Sequence, residues 1–190
     1  MNSNLHFYFG SNIGDPFGMY LFVKHIDFDF WRKELLFTGN IVQDGDESVS
    51  QSDREQRFNR YLEMIDAVCG DEGVEGFVAL MDSLQAEDDY GAYQSTYGAL
   101  RRFPSKVAAQ GLTTALPSLI VRHRDCAGDI LCQLANGTSI QSQATLSEFQ
   151  KELAKADAQT QAAIMGFVAR EENGGWLDGR RKGLIRPIDV

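Results

Sequence analysis

Residues 52–84 read SDREQRFNRYLEMIDAVCGDEGVEGFVALMDSL, two apolar stripes of helical period joined by a short acidic, glycine-containing connection. In the first stripe Phe58, Tyr61, Leu62, Ile65 and Val68 stand at offsets 0, 3, 4, 7 and 10. Val74, Phe77, Val78, Met81 and Leu84 repeat those offsets in the second. At 3.6 residues per turn each set falls on one side of a helix, whereas a strand would scatter it over two faces. Ser52-Asp53-Arg54-Glu55 fits a capping box, in which hydroxyl and carboxylate each bind a free amide of the first turn, and Gly70 marks the stop. The stretch predicts an antiparallel pair of helices whose stripes face each other or the next unit.

Similar start signals recur outward from this pair. Ser52, Asp88 and Asp125 each precede an apolar stripe and lie 36 and then 37 residues apart, which predicts stacked helical units. A unit starting at Asp88 or Asp89 carries Tyr93, Tyr97, Leu100 and Phe103. Pro104 breaks it, and residues 105–116 form the partner helix. Pro117 interrupts again before a helical segment at 118–122. Asp125 then caps a helix packed through Ile130, Leu131 and Leu134, with Asn136-Gly137 closing it in a left-handed conformation. Thr145-Leu146-Ser147-Glu148 predicts a second capping box opening a helix with Leu146, Phe149 and Leu153 inward. Asp157 caps the last helix, which buries Ala163, Ile164, Phe167 and Val168 and ends at Asn173-Gly174-Gly175.

The flanks differ in character. Ten of the twenty aromatic residues lie within the first 37 positions, including Phe7, Tyr8, Phe9, Phe28, Trp31 and Phe37. A terminal unit must seal apolar surface that inner units bury against neighbours, so this region is expected to cap the stack, with a helix over 28–37. Residues 38–52 read as a polar loop containing Asp44, Asp46 and Glu47. Asp44-Gly45-Asp46-Glu47 lacks the alternating ligands and distant glutamate of a calcium loop, so an acidic linker is expected. The expected organisation is one all-α domain over 1–190. Residues 1–51 form the aromatic-rich cap and acidic loop, 52–173 the helical-hairpin repeats and 174–190 a basic tail, solvated or docked on the chain itself, with the acidic front half one place for it to dock.

Charge and composition bound the function. The 190 residues carry a net charge of -9, split between -12 over residues 1–100 and +3 over 101–190. A negative front half repels phosphate backbones and attracts cationic proteins, although a solvated surface alone would also account for it. Three cysteines without paired spacing, and no charged-then-apolar leader, point to a reducing cytoplasmic setting. The longest uncharged stretches are too polar to span a membrane. His6, His25 and His123 show no metal-ligand spacing, and Cys126 and Cys132 read as small buried hydrophobes. His123-Arg124-Asp125 spells the kinase catalytic tripeptide without the Gly-rich loop or the Asp-Phe-Gly that should accompany it, and Gly10-Ser11-Asn12-Ile13-Gly14 lacks the later glycines and lysine of a phosphate loop. No cofactor, metal or enzymatic turnover is expected.

Paired helices at this period over roughly residues 52–173 resemble a short HEAT-like or armadillo-like solenoid, with a compact orthogonal bundle as the alternative. In overall character, as a small acidic chain with an aromatic cap and no catalytic motif, the protein resembles immunity proteins of bacterial contact-dependent growth-inhibition and related polymorphic-toxin systems. That resemblance implies binding to a cognate cationic toxin domain, often a nuclease, and blocking of its active or functional surface. A helical adaptor or regulatory scaffold is the other expectation. Ordinary interface physics then singles out three acidic clusters, Asp44, Asp46 and Glu47; Asp71, Glu72 and Glu75; and Glu87, Asp88 and Asp89, as partner-binding residues. For Glu72, Asp88 and Asp89, helix capping explains the same positions equally well.

Overall fold

Eight α-helices and no strand make up the regular structure among the residues that the computed structural model describes, 27–175 and 181–188. They are α1 (Phe28–Gly39), α2 (Gln51–Asp66), α3 (Gly73–Asp82), α4 (Ala92–Leu100), α5 (Ser105–Arg122), α6 (Arg124–Asn136), α7 (Ile140–Lys155) and α8 (Ala158–Asn173). The expectations that rest on residues 1–26, 176–180 and 189–190 lie outside the described residues. No helix among the described residues is long and apolar enough to cross a membrane.

Local chemistry sets the helix starts: α1, α5 and α8 begin where expected, the last from Asp157, and the others are shifted. Asp27, Ser50, Ser139 and Asp157 each accept a hydrogen bond from the amide three residues ahead. Ser50, rather than Ser52, therefore caps α2, and its hydroxyl also donates to the Asp53 carboxylate at 2.7 Å. Glu55, the expected partner of Ser52, instead accepts from the Gln51 side chain. Helix α4 starts from Gly91, and α6 from His123, whose ring nitrogen accepts from the Cys126 amide. The three N-caps at 50, 91 and 123 are thus unevenly spaced, and the regular 36–37 interval is lost.

Three further expectations are corrected. Helix α5 runs unbroken through Pro117, because Leu116 and Leu119 on either side of it are fully buried and hold the helix together. Helix α7 starts at Ile140, so Thr145 and Glu148 lie inside it. There the Thr145 hydroxyl donates back to the Gln141 carbonyl, and Glu148 pairs with Lys151 at 2.7 Å. Gly137 follows α6 at φ -64, not left-handed; a side chain there would bring a Cβ within 2.2 Å of Ser142 Cβ. Close approach of the next helix, not backbone handedness, explains that glycine.

Packing follows a simple order. The odd-numbered helices form a row, α1 on α3, α3 on α5 and α5 on α7, while α2 packs on α1 and α4. Helices α6 and α8 lie against α5 as well, so α5 touches four others. The helices of the 52–84 stretch therefore find their main partners elsewhere: α2 in α1 and α4, α3 in α5 and α1. Trp31 and Leu35 of α1 are fully buried, and the Trp31 indole donates to the Met64 carbonyl of α2 at 3.0 Å. At the α3–α5 crossing Gly111 faces the Phe77 ring, which meets Phe103 edge-on with centroids 5.4 Å apart. A Cβ on Gly111 would stand 2.3 Å from that ring.

The C-terminal segment docks on the rear of the helices. Ile185 is fully buried, the Gln150 amide donates to the Leu184 carbonyl, and Glu172 of α8 accepts from the Gly183 amide and pairs with Arg186. Of the two fates expected for the basic tail, the described part takes self-docking, on α7 and α8 rather than on the acidic front half.

Two outcomes follow from this packing. Gly111→Ala should destabilise the fold by ~1–3 kcal/mol through overpacking, read as a lower denaturant midpoint with an unchanged slope. Burial opposes ionisation of Glu172, but the Gly183 amide and the Arg186 guanidinium outweigh it and hold its carboxyl below the usual range. A depressed folded value means that this contact stabilises fully above the unfolded carboxyl range and is lost as pH falls through the folded value. On acidification the Ile185 methyl resonances should shift to solvent-exposed positions before the helices melt, and Glu172→Gln should abolish that acid step.

Candidate functional site

Two of the three acidic clusters are brought together, although more than forty residues separate them in sequence. The Gln43 side chain spans the gap: its amide donates to the Asp88 carbonyl at 3.0 Å, and its oxygen accepts from the Asp88 amide at 3.1 Å. Beside it the Tyr90 hydroxyl accepts from the Asp44 amide at 3.0 Å. Asp44, Asp46, Glu47, Glu87 and Asp88 are exposed on the joined loops, and Asp89 is half-buried.

Each loop is rigidified from below. Arg54 on α2 donates to three carbonyls of the first loop, those of Asp44, Asp46 and Val49. Within the loop, the Ser48 hydroxyl and amide both donate to Asp46, whose carboxyl these bonds hold below the usual range. In the second loop the Asp89 carboxylate accepts from the Gly91 and Tyr93 amides, so it holds the turn into α4 and is committed to the fold. Tyr93 closes the base: its hydroxyl accepts from the Gln85 and Ala86 amides and donates to the Gly39 carbonyl. Gly39 itself abuts Ser83, where a Cβ would come within 2.4 Å of the carbonyl oxygen.

Tyr90 is the outlier of this face. Its φ of 48 places a bulky residue in the left-handed region, with Gly91 following at 86. For a non-glycine residue that conformation costs ~1–2 kcal/mol, and it persists here because Asp89, Asp44 and Gly91 fix the turn around it. Tyr90 as a whole is 47% exposed.

The third cluster stands apart, at the N-terminal end of α3. The second loop leaves the opposite end of that helix, roughly 15 Å away at 1.5 Å per residue. Asp71 and Glu75 are exposed there, but Glu72 is only 1% exposed. Its carboxylate turns back to accept from the Cys69 and Gly70 amides at 2.5 and 2.8 Å, which fixes the turn and withdraws the residue from any partner. Cys69 Sγ and the Asp71 and Glu72 carboxylates come within 4.8 Å of one another. Desolvation and the two carboxylates push the Cys69 thiol up, and both Glu72 oxygens already accept amides, so the group reads as a loop clamp. Cys126, beside Tyr97, is buried, and desolvation pushes its thiol up to about 11, so it stays protonated at neutral pH.

Gln43, Arg54 and Tyr90, which assemble the face, carry no sequence signal of that role except the Asp-Asp-Tyr-Gly turn pattern of residues 88–91. No protein-family model, no curated protein and no solved structure matches this chain. Gln43→Ala should uncouple the two loops, raising hydrogen exchange at the Asp88 and Asp44 amides by more than about tenfold while lowering global stability by only ~1 kcal/mol.

Proposed function

We propose that this chain is an immunity-type inhibitor that docks its joined acidic loops on a cationic toxin domain, of the nuclease kind, and blocks the surface that domain needs. The observation that carries the reading is the locking of two sequence-distant acidic loops into one face by Gln43, Tyr90 and Arg54. A loop used only for solvation has no need of such bracing. A preordered face loses less conformational entropy on association than mobile loops would.

The parts divide the work. Asp44, Asp46, Glu47, Glu87 and Asp88 supply the negative field that steers a basic partner, with Asp71 and Glu75 extending it from the other end of α3. Tyr90 supplies the aromatic anchor, held on a strained turn with its ring presented outward. The helices beneath serve as a rigid platform of stacked hairpins, HEAT-like in character, capped at one end by the aromatic α1 region. The row of odd-numbered helices supports this reading. Such an inhibitor works in the cytoplasm and turns nothing over.

Co-expression with the toxin domain encoded beside it should restore growth. Neutralising Asp44, Asp46, Glu47, Glu87 and Asp88 together should slow association at low salt by about tenfold or more and flatten the salt dependence. Tyr90→Ala should mainly speed dissociation, by roughly thirtyfold for a loss of ~2 kcal/mol. Unchanged association at low salt discards the steering face, and comparable binding to several unrelated proteins favours the adaptor instead.

A further inference from the structure

Away from the acidic face a cavity of about 240 Å³ opens between α4, α5, α6 and the first turns of α7. Its floor is apolar, made by Phe77, Tyr97, Leu100, Phe103, Leu112 and Leu134. Its rim is polar, with Ser139, Gln141, Ser142 and Thr145 on one side and Arg101 and Gln133 on the other. In a chain with 27 acidic and 18 basic side chains, no carboxylate lines this cavity, and the one charged residue there is an arginine.

Arg101 is exposed and bridges α4 to α6 by donating to the Gln133 side chain at 2.9 Å; it makes no ion pair among the described residues. Two helix starts flank the rim on the other side. Helix α5 begins without a side-chain cap, and the hydroxyl of its first residue, Ser105, meets the Thr145 hydroxyl of α7 at 3.2 Å.

We propose that this cavity is a binding site for a small anionic amphiphile, a single medium-length acyl chain ending in a carboxylate, with the chain on the apolar floor and the carboxylate at Arg101. The volume lies below the ~300–1,000 Å³ of sites for drug-sized ligands, which suits one short chain and excludes a two-chain lipid. The missing carboxylates remove the repulsion that the rest of this acidic surface would exert on such a head group. Arg101, already tethered by Gln133, offers its remaining donors to the carboxylate in a fixed fork. The site is independent of the proposed inhibitor role, since none of its lining residues belongs to the acidic loops.

Decanoate titrated into the full chain should shift the methyl resonances of Leu112, Ile130 and Leu134 saturably, leaving Ile65 and Ile164 in place. Hexanoate should bind more than about tenfold more weakly through lost apolar burial, and decanol and decyltrimethylammonium about tenfold or more weakly through the lost charge contact. Arg101→Gln, on the surface, should remove the preference for decanoate over decanol while leaving decanol binding in place. Thr145→Phe, with its helicity checked, should fill the cavity and abolish both. Vesicles of a two-chain anionic phospholipid should not compete. Equal affinity for decanoate and decanol, an unchanged preference in Arg101→Gln, retained binding by a folded Thr145→Phe, competition by the vesicles, or no methyl shift at all would each overturn the proposal.

Discussion

The crossing of α3 and α5 at Gly111 is the constraint on which the rest of the molecule depends. With no Cβ on α5 at that point, the Phe77 ring lies directly on the helix backbone and reaches Phe103, the residue that ends the α4 region before Pro104. Helix α5 is thereby held close enough to α3 for its other sides to take α6, α7 and α8. Interiors are packed as densely as organic crystals, so a single methyl group there is felt by every helix that shares α5. The same crossing sets the direction of α3, and with it the wide separation of the acidic clusters at its two ends.

Polar bonds, by contrast, build the acidic face. Gln43, Arg54, Asp89 and Tyr93 spend their hydrogen-bonding capacity on backbone groups at and beside the two loops, while Asp44, Asp46, Glu47, Glu87 and Asp88 are exposed. This division explains why neighbouring acids have different fates. Glu72 and Asp89 satisfy amides and belong to the fold, Asp46 accepts from the Ser48 amide while staying exposed, and the exposed acids carry the long-range attraction of a cation. The wider molecule shows a similar separation of surfaces. The basic tail is neutralised in part by Glu172 at the rear, and the cavity beside Arg101 is lined without carboxylates.

Much of the helical content was legible in the residues. The offsets of Tyr61, Ile65 and Val68, of Phe77 and Met81, and of Tyr93 and Tyr97 mark buried sides correctly, because apolar periodicity reports burial directly. Helix starts were less legible. Ser50 and Ser52, or Asp88 and Asp89, offer nearly the same chemistry, and which oxygen meets an amide depends on where the incoming chain turns. Local chemistry makes Pro117 a break, but its helix is buried on both sides of the proline and continues. Of the candidate site, the acids themselves were visible as a composition bias; their union was not, since Gln43 and Tyr90 act across contacts with no local pattern.

The amino-acid sequence by itself determined that the chain is helical, which sides of its helices are apolar, and that its front half is negative, because periodicity and charge are local properties. Only the tertiary structure decided which helices touch, that the loops at 43–47 and 87–91 form one face, that Glu72 is buried in its own turn, and that a carboxylate-free cavity lies beside Arg101. Those outcomes depend on distances between residues far apart along the chain, which the burial of a shared core fixes and no local signal encodes.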